Sequence, residues 1–87
     1  MANTSILTLD DEDWLLVAQG PSEALVTSDG RGFFYVIREA KPAATLRIGH
    51  VVDGVTNEAV VLLTGEALYA RSRAGAITLA ATIDDSE

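Results

Sequence analysis

The sequence GEALYARSRAGAITLAATI, residues 65–83, decides the fold class of this chain. From residue 76 to residue 83, apolar side chains at odd positions alternate with threonine or alanine at even positions. This period of two predicts a β-strand with one buried face and one exposed face. Gly65 and Gly75 flank a second run, residues 67–71, so the stretch predicts two strands joined by a turn.

Short runs of the same kind recur along the rest of the chain, at residues 5–9, 14–19, 23–28, 32–38, 45–52 and 59–64. Turn residues separate them, and we interpret the Gly30-Arg31-Gly32 turn as a hairpin connection. The run 32–38 is apolar on both faces, which predicts a core on one side and a second cover, such as another subunit, on the other. The spacing predicts one domain over residues 1–87, an all-β, small antiparallel β-sandwich of seven or eight strands.

The composition predicts a packed domain that associates with further copies of itself. Hydrophobic residues make up 48% of the chain and charged residues 22%. A domain of 87 residues removes only about 60% of its unfolded surface from water, so surplus apolar side chains are commonly buried against a neighbour. No cysteine is present, so subunit contacts are the expected extra support.

Acidic residues outnumber basic ones by thirteen to six, which gives a net charge of −7 and disfavours binding to the phosphates of nucleic acid. No segment has the roughly 20 apolar residues of a membrane span, and we expect neither a membrane partner nor a signal peptide. Seven of the acids lie in two runs, 10–13 and 84–87. We expect an acidic N-terminal segment, residues 1–13, whose charged run forms a solvated turn, and a frayed acidic tail, residues 84–87.

No residue pattern predicts catalysis. The run 10–13 lacks the spacing and the glycine of a calcium-binding EF-hand loop. His50 is the single histidine, and we expect its ring to bond to nearby backbone in a strand or turn. No serine occupies a G-x-S-x-G elbow. We therefore expect no enzymatic activity, no catalytic residue, no metal and no cofactor.

The basic residues of the 65–83 stretch are the remaining candidates for a site. On a strand, Tyr69, Arg71 and Arg73 share one face, which we expect to face outward. Together with Phe34 they are our predicted interface residues, since aromatics and arginine are enriched where partners bind. The arginines also suit pairing with the acids of the chain, within one subunit or across an interface, which we favour over a site for an anionic sugar.

Five short motifs follow one another along the chain: Trp14-Leu15-Leu16-Val17-Ala18, Phe34-Tyr35-Val36, Lys41-Pro42-Ala43, Gly49-His50-Val51-Val52 and Gly65-Glu66-Ala67-Leu68-Tyr69-Ala70-Arg71. In this order they resemble a layout found in small structural proteins of tailed bacteriophages. The resemblance covers residues 14–83, whereas the acidic segment before them and Leu46-Arg47-Ile48 depart from it.

The resemblance implies a component of a bacteriophage particle, made in the host cytoplasm and located in the virion. It would decorate or stabilise the head, or form part of a fibre or tail, as a homo-oligomer with a trimer as a candidate symmetry. Its partners would be copies of itself and another virion protein, such as a capsid or tail component. The alternative is a receptor- or carbohydrate-binding module at a fibre tip, with the Tyr69, Arg71 and Arg73 row exposed.

Overall fold

The computed structural model describes residues 2–53 and 57–85 and, within these ranges, the side chains of residues 3–84. It contains eight strands: β1 (Ala2–Leu9), β2 (Leu15–Gln19), β3 (Ser22–Ser28), β4 (Phe33–Arg38), β5 (His50–Val52), β6 (Asn57–Leu62), β7 (Ala67–Ser72) and β8 (Ile77–Asp85). No helix is present in these residues. The prediction of an all-β fold with seven or eight strands is confirmed.

The strands form two antiparallel sheets of four. Sheet A has the order β1-β8-β3-β6, and sheet B has the order β2-β7-β4-β5. The pairs follow a simple rule: β1 pairs with β8, β2 with β7, β3 with β6 and β4 with β5, so the first half of the chain lies against the second half in reverse. Two further pairs, β3 with β8 and β4 with β7, complete the sheets. A long hairpin rolled in this way is the eight-stranded jelly roll.

Most connections pass from one sheet to the other, and only β4 and β5 are consecutive strands of the same sheet. The expectation of a hairpin at Gly30-Arg31-Gly32 is therefore wrong, because β3 lies in sheet A and β4 in sheet B. The 65–83 stretch likewise contributes β7 to one sheet and β8 to the other. Its turns are as predicted, since Gly65 and Gly75 have φ values of 88° and 68°, which favour glycine.

The main core fills the space between the sheets. It combines the odd-numbered side chains of β8 with inward side chains from both sheets, and its fully buried members include Leu9, Phe33, Leu62, Leu68, Ile77 and Leu79. The predicted core face of β8 is confirmed, with Ile83 partly buried at its end. Strand β8 therefore buries the face that its own alternation predicts.

A second apolar layer covers the outer face of sheet B. Strand β7 is buried along its whole length, and a smaller cluster formed by Trp14, Ala67 and Tyr69 packs on that face with Phe34, Val36 and Leu46 at its border. The cover that we expected from another subunit over β4 is thus supplied by the chain itself. Residues 39–49, which we name the cover segment, form no strand, so only the end of the predicted 45–52 strand exists, as β5.

The acidic runs differ from each other in structure. Residues 10–13 form the predicted turn, in which the Asp10 carboxylate accepts hydrogen bonds from the amides of Glu12 and Asp13 at 3.0 and 3.1 Å. The residues before this turn belong to β1. At the other end, β8 continues to Asp85 and pairs with both β1 and β3, so the predicted fraying is wrong for residues 84 and 85. Residues 86 and 87 lie outside the described part of the chain.

Candidate functional site

The predicted row of Tyr69, Arg71 and Arg73 lies on the outer side of sheet B, where Tyr69 packs with Trp14 and both arginines lie over aromatic rings. The expectation that the row faces outward is wrong for two of its members. Tyr69 is 7% exposed and Arg71 is 1% exposed. The physical reason is the cover segment and the 10–13 turn, which lie over this part of β7.

Arg71 holds these two loops onto the sheet. Its guanidinium donates to the carbonyl oxygens of Ala44 at 2.7 Å and Leu46 at 3.0 Å, and also to that of Asp11. The guanidinium carbon lies 5.4 Å from the centre of the Trp14 ring, within reach of a cation–π interaction. Carbonyl dipoles and an aromatic face therefore surround the buried charge. The role of Arg71 in the single chain is to position backbone.

Trp14 and Asp13 strengthen the same junction. The indole N–H of Trp14 donates to the carbonyl of Leu46 at 3.0 Å, and Lys41 forms an ion pair with the Asp13 carboxylate at 2.6 Å. The hydrogen bond from Lys41, followed by the one from the Trp14 amide, lowers the pKa of Asp13 below its ordinary value. The prediction that the arginines pair with acids of their own chain is therefore met by Arg73, which pairs with Asp53. Arg71 differs, because its described acceptors are backbone carbonyls.

Arg73 and Phe34 lie at the open end of the row. Arg73 is exposed and forms an ion pair with the exposed Asp53, and its guanidinium carbon lies 5.9 Å from the centre of the Phe34 ring. Phe34 is half-buried. Of the four predicted interface residues, these two keep surface that a partner can reach, and their part in an interface stays a prediction.

His50 begins β5 and contacts an aromatic ring. Its ring centre lies 5.1 Å from that of Tyr35 in a tilted arrangement. The Tyr35 hydroxyl donates to Glu58 at 3.0 Å, and burial followed by this carboxylate raises the pKa of Tyr35. The contacts described for the histidine ring are thus aromatic, whereas we expected a bond to backbone. Nowhere in the described ranges do three potential metal ligands cluster.

The outer face of sheet A is a broad surface that no other segment of the described chain covers. It consists of the even-numbered side chains of β1 and β8 and the odd-numbered side chains of β3 and β6, and we name it the sheet A face. Glu23 and Asp84 lie opposite each other in the register of β3 and β8, at one end of this face. Its other described side chains are uncharged and are mostly threonine, alanine and larger aliphatic residues. Three large aliphatic side chains stand on it, with exposed fractions of 67% for Ile6, 43% for Leu25 and 64% for Val61.

Side-chain hydrogen bonds across neighbouring strands order the polar groups of this face. The hydroxyls of Thr4 and Thr82 are 2.7 Å apart, and Thr27 donates to Asn57 at 2.6 Å. Groups that satisfy one another in this way need less water, which lowers the cost of covering the face. The surface therefore combines apolar side chains with two pairs of polar side chains that already bond to each other.

Reasoning from the sequence did not identify the sheet A face. The signal that was available is the threonine and alanine alternation of residues 76–83, which predicts one polar but uncharged strand face. Its extension over β1, β3 and β6 depends on strand order and register, which alternation within one strand does not contain.

The comparisons with known proteins found no matching family model, no similar curated protein and no similar solved structure. Within residues 2–53 and 57–85, no helix is long and apolar enough to cross a membrane.

Proposed function

We propose that the protein is a non-enzymatic structural component of a bacteriophage particle, a homo-oligomer that binds a capsid or tail protein through the sheet A face. The observation that carries the proposal is this exposed, nearly uncharged surface. Three exposed large aliphatic side chains, Ile6, Leu25 and Val61, lie on this face, and exposed apolar surface favours a protein contact.

The dimensions of the molecule support an interface of ordinary size. Its principal extents are 35 × 25 × 17 Å, so a broad face fits within a rectangle of 35 × 25 Å, the same order as the roughly 800 Å² that each partner buries in a stable complex. Of the acids whose side chains are described, only Glu23 and Asp84 lie on this face, so the net charge of −7 does not concentrate on it. Shape and charge thus both favour docking of this face on a larger body.

The architecture and the sequence resemblance supply the biological context. Jelly rolls occur in viral capsid proteins and in lectins, although a fold does not by itself assign a function. The resemblance of the five motifs to small proteins of tailed bacteriophages favours the virion over the other settings of this fold. Repetition on a particle would then make many weak contacts effective together.

The sugar-binding alternative loses its proposed site. It required an exposed row of Tyr69, Arg71 and Arg73, and the first two of these are buried beneath the cover segment. A sugar would have to displace the three carbonyl partners of Arg71 to reach it. We therefore retain the structural role alone.

The test compares two leucines with equal exposure on opposite sheets. Leu25 lies on the sheet A face and Leu16 lies in sheet B, and both are 43% exposed. We expect Leu25→Glu to remove the protein from particles purified from a culture that encodes it, and Leu16→Glu to leave it there, as measured by mass spectrometry of the particles. Light scattering on the purified protein gives its oligomeric state in parallel. A protein that is strictly monomeric and absent from particles would overturn the proposal.

A further inference from the structure

Strand β1 is an unprotected edge of sheet A. It pairs with β8 on one side only, from Ala2 to Leu9 without any shift of register. Alternate backbone N–H and C=O groups of such a strand point away from the sheet, and the described part of the chain offers them no backbone partner. Residues 3–6 and 8 are exposed. An uncovered row of this length is a template for another strand.

The other three edges of the molecule are blunted. Strand β6 carries the charged Glu58, strand β2 has a bulge between Leu16 and Ala18, and β5 has only three residues. Charge, bulges and short length are the devices by which proteins prevent pairing at sheet edges. Strand β1, with the sequence ANTSILTL, has eight residues, no charge and no proline. The contrast singles out β1 as the edge left available for pairing.

We propose that β1 pairs antiparallel with β1 of a second copy, across a two-fold axis normal to sheet A, and so joins the two sheets into one of eight strands. The inference rests on the proposed homo-oligomer and identifies its contact. An uncharged strand suits this role in a chain of net charge −7, because no charged side chain lies within the paired strands. Two copies of β1 can therefore pair without charge repulsion between the strands.

The pairing has a defined register. Residues opposite each other in a sheet have side chains on the same face, so a two-fold axis places one residue against its own copy. With Ile6 at the axis, residues 3–9 pair, Thr4 lies opposite Thr8, and the exposed Ile6 packs against Ile6 of the second copy. The two Asp10 residues then lie about 25 Å apart at 3.3 Å per residue, beyond the screening length of ordinary buffers.

This symmetry fits the proposed docking surface. An axis normal to sheet A keeps both sheet A faces on the same side, so the dimer presents one continuous platform of about twice the area. Two-fold pairing also predicts a dimer, or a larger assembly that contains two-fold axes, in place of the trimer that the resemblance implies. The oligomer and the attachment surface would then share one sheet.

The first experiment places a lysine at either edge of sheet A. We expect Ile6→Lys to weaken self-association by about tenfold or more, because two lysines meet at the axis. Val61→Lys, on edge strand β6 with nearly the same exposure and the same change of charge, should leave the mass by light scattering unchanged. Circular dichroism of both variants checks that they are folded. An Ile6→Lys protein that keeps the wild-type mass would overturn the inference.

The second experiment uses the absence of cysteine in the chain, since a single introduced thiol can form a disulfide only with its own copy. Facing Cα atoms in an antiparallel pair are about 4.5–5.5 Å apart, within the range that a disulfide spans. Ile6→Cys should give a covalent dimer on mild oxidation, and Val61→Cys should not. A Val61→Cys cross-link, or an oligomer without the Ile6→Cys cross-link, would refute the β1 contact and leave the homo-oligomer standing. A monomeric wild-type protein would refute the homo-oligomer itself.

Discussion

Arg71 lies in an environment that its position in the sequence does not predict. By alternation it lies on the face of β7 that points away from the main core, where an arginine ordinarily reaches solvent. Here that face is covered, and the side chain is 1% exposed with three carbonyl oxygens as acceptors. The planar guanidinium can serve several acceptors at once and stack on Trp14, which an ammonium group cannot do equally well.

The first prediction concerns the stability that Arg71 contributes. We expect Arg71→Ala to lower the free energy of unfolding by about 3 kcal/mol, because it leaves buried carbonyl groups without donors. Arg71→Lys should lower it by about 2 kcal/mol, since a lysine replaces only part of the fork. Urea denaturation measures both. The control is Arg73→Ala, an exposed site where we expect a change within about 1 kcal/mol. Equal effects at the two positions would contradict the assignment of Arg71 as a structural anchor.

The second prediction concerns the acid titration of Asp13. Lys41 and the Trp14 amide lower the pKa of this carboxyl in the folded state, whereas the unfolded value is about 3.9. The stabilisation by this group is therefore present above the unfolded pKa and is lost as the pH falls through the folded pKa. NMR titration should give a value below the ordinary one that rises in Lys41→Ala and does not change in the Arg38→Ala control. The same value in wild type and Lys41→Ala would disprove the role of Lys41.

At the scale of elements, the cover segment explains why strand β4 is apolar on both faces. Residues 39–49 add no strand, yet Leu46 packs on the cluster of Trp14 and Tyr69. A turn bond between the Leu46 amide and the Ala43 carbonyl, at 2.9 Å, shapes the segment locally. The cover segment is therefore irregular chain that covers the outer face of sheet B. A second subunit or a helix often takes this position in other folds.

The third prediction concerns how closely the cover segment packs on sheet B. A Cβ at Gly49 would lie 2.8 Å from the Tyr35 carbonyl oxygen and 3.4 Å from Cη2 of Trp14. Because backbone cannot move aside easily, we expect Gly49→Ala to cost about 1–3 kcal/mol of stability and to shift the Trp14 fluorescence. Thr45→Ala, an exposed change in the same segment, should do neither. Wild-type stability together with unchanged emission in Gly49→Ala would show that the segment packs more loosely.

The strand elements themselves were largely predictable, and the exceptions have a common cause. Seven of the eight predicted strands exist with ends shifted by a few residues, and residues 45–52 reduce to β5. Alternation is a local property, so it survives in any sheet arrangement. Residues 45–49 carry strand-like residues too, but the Leu46 carbonyl accepts from the side chains of Trp14 and Arg71, which only the folded chain brings near.

At the scale of the whole molecule, the jelly roll makes almost every pairing distant in sequence. Strand β1 pairs with β8, and the two strands that follow in the 65–83 stretch separate into different sheets. A sequence that reads as a succession of hairpins therefore folds as one rolled hairpin. This arrangement leaves the outer face of sheet A exposed, while the 10–13 turn and the cover segment cover the outer face of sheet B. The difference between the two sheets directs our proposed contacts to sheet A.

The sequence by itself determined what depends on neighbours along the chain. Alternating side chains specify strands, Gly65 and Gly75 permit turns, and the charge and apolar content predict a small acidic domain with surplus apolar surface. Only the tertiary structure decided strand order, the burial of Tyr69 and Arg71, and the uncovered side of β1. The physical reason is that burial and edge exposure depend on which segments meet across the fold, and a strand pattern of period two is the same beneath a lid, at an edge or against a partner.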